Sequence, residues 1–415
     1  MNKLDTVQLK NGLTLYLYPD LRRHTTLVQF ITKFGGFTKD FIYQGKEYHM
    51  PDGIAHLLEH YVVECNDAGN FLDILGNKQM NTNASTHFDT THFYFDAVED
   101  IEFGIDTLLK GLTSVSFQEE KMNKLKNPIY QEIRGKSDNK FYHSGILSFQ
   151  NLFNHYTFRN IGGSIEEVKG ITIDDLEVCY KAFYQPHNQV MIIAGNFDEE
   201  KVIKQITDFY QKIDIPYEEI QLIPPKETID IVKKEDTLIF KTPMDYVDIS
   251  FKIDVSKYSP EENLNLNYYL SSFYNQYFGP ISRLYQECVD EKIISAGINA
   301  GDVYIGDYLI ISIGAYTHNS ELFKKKVLDT IQSLNDFQEE AFDLDKDSAI
   351  IRMILRDESI VSMIMPFVDN VVLFKYPYLD EVRDVEEMNY KDYVDTIRSL
   401  DFSHYSIVTI KEKES

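Results

Sequence analysis

The tetrapeptide Phe-Gln-Glu-Glu occurs twice in this chain, at 117–120 and 337–340, each time after a strand pattern and an amphipathic helical pattern. A second pairing keeps the same order: GIAHLLEHYVVE at 53–64 against PISRLYQECVDE at 280–291. The two separations, 220 and 227 residues, differ by no more than a small insertion. Matches in one order imply a duplicated domain, and duplication constrains the fold strongly, because whatever packs in the first half must pack again in the second. The 415 residues exceed what one ordinary core holds and suit two domains of about 200.

Local patterns support the repeat. Strand-like runs lie at 13–18, 26–33, 92–98 and 190–193, with helical periodicity at 54–64 and 101–112. The second half offers strands at 247–255, 308–315 and 405–411, and helices at 264–278, 281–289 and 322–334. The proline-bearing, charged stretch 214–237 reads as a linker. The expected organisation is therefore 1–213, a linker at 214–237, and a homologous domain at 238–415. The expected class is α+β, each domain a mixed or antiparallel sheet with helices packed on one face.

Charge and composition remove several function classes. Lys plus Arg is 41 against 66 for Asp plus Glu, a net charge of −25, so a phosphate-binding face for nucleic acid is not expected. Three cysteines without CxxC spacing make no disulfide scaffold. No run approaches the roughly 20 apolar residues of a membrane span, and the N-terminus shows no signal-peptide core. A cytoplasmic, bacterial protein is the expectation.

The chemistry concentrates in His56-Leu57-Leu58-Glu59-His60. This is H-x-x-E-H, the inverted order of a zinc-protease motif. On a helix, positions i and i+4 lie one above the other, so His56 and His60 can present imidazole nitrogens to one Zn2+ ion. Glu59 shares that face with His56 and can reach a water on the metal. Asp52 is the expected helix cap. A catalytic zinc takes a third protein ligand. Glu119, Glu120 and Glu132 are the downstream carboxylates, and spacing does not choose among them.

That motif, the segment Asn83-Ala84-Ser85-Thr86 and Gln131-Glu132-Ile133 resemble the pitrilysin/insulinase zinc peptidases, especially their short, processing-peptidase-like bacterial members. Lys10-Asn11-Gly12-Leu13, Phe183-Tyr184, Ala194-Gly195-Asn196 and Ser282-Arg283-Leu284-Tyr285 extend the resemblance over nearly the whole chain. It implies a processing-peptidase-like metallohydrolase fold. It implies zinc held by His56, His60 and Glu132, with Glu59 as general base. It also implies that Asn83 and Ala84 belong to a strand edge that pairs with a peptide substrate.

The chain departs from the pattern in three places. Leu125 stands where family members often carry a second glutamate, and Asn127-Pro128 comes close before Glu132. The repeat alignment puts Arg283, Gln286 and Glu287 in the places of His56, Glu59 and His60, so no metal is expected in the second half. By the resemblance, Val289 and Ala296 fill the places of an Arg and a Tyr that hold substrate. Family members also enclose substrate in a chamber of four such domains, and this chain supplies two. The expected enzyme is therefore the metal-bearing subunit of a heterodimer with a paralogous subunit lacking zinc. The competing expectation is a non-catalytic peptide-binding or scaffold relative. His87 and His92 are read as cleft or strand residues rather than ligands.

Overall fold

The computed structural model describes residues 4–156, 160–372, 375–377 and 379–412. The chain divides into two compact units. One comprises Met1–Lys136, Phe158–Pro225 and Ser359–Ile364; the other comprises Ser137–Thr157, Lys226–Glu358 and Met365–Ser415. Residues 137–157 thus belong with the second unit although they lie in the first half of the sequence.

The elements of the first unit run β1 (Asp5–Gln8), β2 (Thr14–Pro19), β3 (Thr26–Thr32), β4 (Asp40–Tyr43), β5 (Lys46–His49), α1 (Ile54–Glu64), α2 (Phe71–Gly76), β6 (Asn81–Thr86), β7 (Thr91–Ala97), α3 (Ile101–Thr113) and α4 (Glu119–Lys136). After α5 (Lys140–Leu152) come α6 (Ile165–Gly170), α7 (Ile173–Phe183), β8 (Gln189–Gly195), α8 (Glu199–Tyr210) and β9 (Ile220–Leu222). A six-stranded sheet has the order β1-β2-β8-β3-β7-β6, and a small sheet pairs β5, β4 and β9. β3 is rich in β-branched and aromatic residues and buried at all seven positions, as a central strand should be. Val28, Phe30, Phe93, Phe95, Met191 and Ile193 alternate toward one face. There they meet Leu57, Leu58, Tyr61, Leu108, Leu176 and Ile206 from the helices.

The second unit contains β10 (Glu235–Phe240), β11 (Asp245–Asp254), α9 (Pro260–Tyr277), α10 (Arg283–Asp290), β12 (Asn299–Ile305), β13 (Tyr308–Thr317), α11 (Ser320–Gln332), α12 (Glu339–Arg356) and β14 (Tyr405–Glu412). Its sheet has the order β10-β14-β11-β13-β12. That is the order of β2-β8-β3-β7-β6, strand for strand. Even the single parallel pairing repeats, β2 with β8 and β10 with β14. The duplication is therefore a repeat of topology, and the α+β class with helices over sheets holds. α5 packs on the second sheet, where Ser148 Oγ donates to Asp248 and Lys140 Nζ to Thr242 Oγ1.

The Phe-Gln-Glu-Glu repeat marks equivalent positions. Each copy leads from a 13-residue helix, α3 or α11, into an 18-residue helix, α4 or α12. The second sequence pairing does not. It aligns α1 with α10, yet α10 directly precedes β12 as α2 directly precedes β6, so α9 stands in the place of α1. Two amphipathic helices share apolar spacing without sharing position. Arg283, Gln286 and Glu287 are thus not at the places of His56, Glu59 and His60. The conclusion that the second half lacks the motif stands, since neither α9 nor α10 contains histidine. All three cysteines are free and buried, and no described helix is long and apolar enough to cross a membrane.

Candidate metal centre

α1 spans eleven residues without Gly or Pro, and it buries Ile54, Ala55, Leu57, Leu58, Tyr61, Val62 and Val63. The cap differs from the sequence expectation. Gly53, at φ 87°, is the N-cap and makes no side-chain bond, while the buried Asp52 carboxylate pairs with Lys39 Nζ at 2.6 Å. Burial of an acid favours an ion pair over a lone capping contact. The opposite end is tied to the start of α4: Tyr61 Oη donates to Ser116 O at 2.9 Å and accepts from Gln118 N at 2.7 Å.

The partly buried stripe of α1 carries the histidines. His60 Nε2 and His56 Nε2 lie 3.3 Å apart, with the rings perpendicular. α4 brings Glu132 to the same place, its oxygens 3.5 Å from His56 Nε2 and 3.7 Å from His60 Nε2. One ligand atom from each residue falls within 4.8 Å of the others. Zinc–nitrogen bonds of about 2.0–2.1 Å at tetrahedral angles place ligand atoms about 3.3 Å apart, so the three donors fit a zinc ion. Glu119 and Glu120 sit at the start of α4, about 18 Å up the helix from Glu132 at 1.5 Å per residue, and Glu120 pairs with Lys124. A single helix runs through Pro128, and Leu125 packs against the core.

The electrostatics suit a cation. Burial and the neighbouring imidazole push His56 down to about 3, and burial lowers His60 as well. Neutral imidazole is the metal-binding form. Glu59 is only 7% exposed, and its Oε2 accepts from Thr86 Oγ1 at 2.6 Å. Burial pushes its carboxyl up to about 7, against the pull of the Thr86 bond. Thr86 ends β6, so the sheet edge itself orients the acid. Nothing in the spacing of the sequence marks that contact across 27 residues.

Asn83 and Ala84 lie on β6, the outer strand of its sheet. Asn83 Nδ2 donates to Tyr94 Oη at 3.3 Å, and its Oδ1 accepts from Ala84 N at 3.0 Å. His92 is buried between Gln29 Nε2 at 3.2 Å and Thr90 Oγ1 at 2.8 Å, and its ring lies 4.4 Å from that of His87. Neither belongs to the cluster of His56, His60 and Glu132.

Comparison with known proteins adds the family. Residues 170–348 match the family model described as "Peptidase M16 inactive domain". The Bacillus subtilis protein named "Uncharacterized zinc protease YmfH" is 28% identical over 301 residues, 71% of this chain and 70% of that protein. "Zinc protease PqqE" of Helicobacter pylori is 22% identical over 364 residues, covering 83% and 77%. The solved structure named "Crystal structure of putative M16-like peptidase from Alicyclobacillus acidocaldarius" shares the fold, with a TM-score of 0.90 and 22% identity over 99% of both chains. Segment, relatives and fold agree on a likeness to the M16 peptidases, and the H-x-x-E-H helix resembles their pitrilysin/insulinase-type members.

Proposed function

We propose that the chain is the metal-bearing subunit of a zinc endopeptidase. The carrying observation is the convergence of His56, His60 and Glu132 within 4.8 Å, beside a buried Glu59 held by Thr86. The matched family segment described as inactive, 170–348, contains neither α1 nor α4, so that description does not bear on these residues.

His56, His60 and Glu132 would hold the zinc, which when bound supplies Lewis acidity toward a water and the scissile carbonyl. The remaining work falls to the protein. Glu59 takes a proton from the attacking water and delivers it to the leaving amine. With Oε2 bonded to Thr86, Oε1 is the oxygen that exchanges the proton. The outer edge of β6 offers backbone groups to an extended peptide, with Asn83 and Ala84 beside the scissile bond.

A second chain completes this reading. Residues 288–296 contain neither Arg nor Tyr, so substrate-holding and oxyanion-stabilising side chains would come from a paralogous subunit that lacks zinc. The same absence favours the second reading, a non-catalytic peptide-binding member. Peptide hydrolysis by the parent and by Glu59→Gln, with and without the paralogue, separates the two. Turnover that needs both Glu59 and the paralogue supports the enzyme; peptide binding without turnover in any mixture favours the binding protein.

A further inference from the structure

Residues 160–171 touch both helices that carry the ligand set. Toward α1 the contact is backbone on backbone. A Cβ on Gly53 would lie 2.6 Å from Gly162 O, and one on Gly163 would lie 2.5 Å from Asp52 O. Gly53 and Gly163 also hold φ at 87° and 69°, where glycine alone is unstrained. A Cβ on Gly162 would lie 3.5 Å from His56 Nδ1, so the backbone there is a floor beneath the imidazole. That Nδ1 is buried and has no hydrogen-bond partner among the described residues.

Toward α4 the contact is a pair of hydrogen bonds from an ammonium to backbone carbonyls. Lys126 is buried, and its Nζ donates to Ile171 O at 2.7 Å and Lys169 O at 3.1 Å. These are carbonyls at the C-terminal end of α6, where a cation also meets the negative pole of the helix. Between the two contacts α6 is a short helix closed by the capping box of Ser164 and Glu167. The segment is therefore a stiff brace with one foot on the start of α1 and the other on α4.

The brace matters because α4 is weak in the turn that holds Lys126, residues 124–128. Pro128 has no N–H to bond Lys124 O, so one rung of the helix is missing there. Glu132 is 43% exposed and is not fixed by packing of its own side chain. A buried ammonium on backbone carbonyls costs desolvation that an apolar residue would avoid.

We propose that Lys126 is a positioning residue for the metal centre: through α6 it sets the distance between His56 and Glu132. This rests on the zinc reading above. Lys126 touches neither metal nor substrate, and its effect is on metal affinity and coordination geometry.

The test uses the full chain as parent, Lys126→Met, Gly162→Val and Glu132→Gln. Zinc dissociation constants are measured by competition with a chromophoric chelator, and visible spectra are recorded after cobalt(II) loading. The expected result is zinc binding about 10–100-fold weaker in Lys126→Met, the range for outer-shell partners of metal ligands. Its cobalt spectrum should shift toward that of Glu132→Gln. Gly162→Val should weaken zinc from the His56 side, which keeps the test open if Lys126→Met fails to fold. Parental affinity in the folded Lys126→Met chain overturns the proposal, as does weaker binding with an unchanged cobalt spectrum. If Lys126→Met does not fold, parental affinity in Gly162→Val overturns it. A parent that binds neither metal overturns the zinc reading itself, a distinct outcome.

Discussion

His56 and His60 aim their Nε2 atoms at each other across 3.3 Å, one helical turn apart. Two nitrogen lone pairs at that distance repel unless one ring, in its neutral Nε2–H tautomer, donates to the other or a cation lies between them. Burial disfavours protonation of either ring, and the Glu132 carboxylate adds negative charge from α4. A divalent cation resolves all three features together.

Thr86→Val should leave zinc content unchanged and lower kcat. The hydroxyl makes the 2.6 Å bond to Glu59 Oε2, and valine keeps the shape while removing the donor. A hydrogen bond to a charged group contributes about 1.5–3 kcal/mol, or roughly 10–100-fold in rate when it orients the base. Steady-state peptide hydrolysis by the assembled enzyme, with zinc measured alongside, checks this.

Mixing with a paralogue that carries the Arg and Tyr should raise peptide turnover well above that of this chain alone. Val289 and Ala296 supply neither a cation nor a hydroxyl. Loss of one oxyanion donor typically costs about 10²–10³-fold. An isolated chain that cleaves peptides as fast as the mixture contradicts the heterodimer.

Lys252→Met should destabilise the second unit by about 3–5 kcal/mol, the usual consequence of stranding the partner of a buried ion pair. Lys252 on β11 is fully buried. Its Nζ donates to Glu227 Oε1 at 2.8 Å, Thr228 O at 2.6 Å and Leu152 O at 2.9 Å. Glu227 also accepts from the backbone amides of Asn154, His155 and Tyr156, so the pair fastens two separate segments to the sheet. Urea unfolding of parent and variant checks it.

Asp248→Asn should stabilise the chain at neutral pH and do little near pH 4. Burial pushes this carboxyl up to about 6, against hydrogen bonds from Ser250 and Ser148. A folded-state value above the unfolded one means that the folded chain holds the proton more tightly. The stabilising contribution is present below pH 4 and is lost as pH rises through about 6. Removing the charge should recover about 2–3 kcal/mol at pH 7.5. Denaturant midpoints of both proteins at pH 4.5 and 7.5 give the sign.

The parts of the fold and site that were legible in the sequence are those set by local geometry. The helix read at 54–64 is α1, because its apolar positions repeat every three to four residues. The two histidines share a face for the same reason. Spacing leaves Glu132 open among three glutamates, since which end of a helix reaches a site is a tertiary fact, and only the family resemblance singles it out in the sequence. The pairing of α1 with α10 failed because amphipathic helices look alike, whereas Phe-Gln-Glu-Glu held because it marks the entry to α4 and α12. α5 shows an apolar face in the sequence but not which sheet covers it. Lys126 and Thr86 act through contacts with no periodic signature.

Zinc per chain, measured by elemental mass spectrometry on the parent, His60→Ala, Glu132→Gln and Glu59→Gln, tests the central claim most directly. The account predicts one zinc in the parent, the same in Glu59→Gln, and loss or more than about 100-fold weaker binding in the other two. A parent without zinc after reconstitution, or Glu132→Gln with full parental affinity, would contradict it.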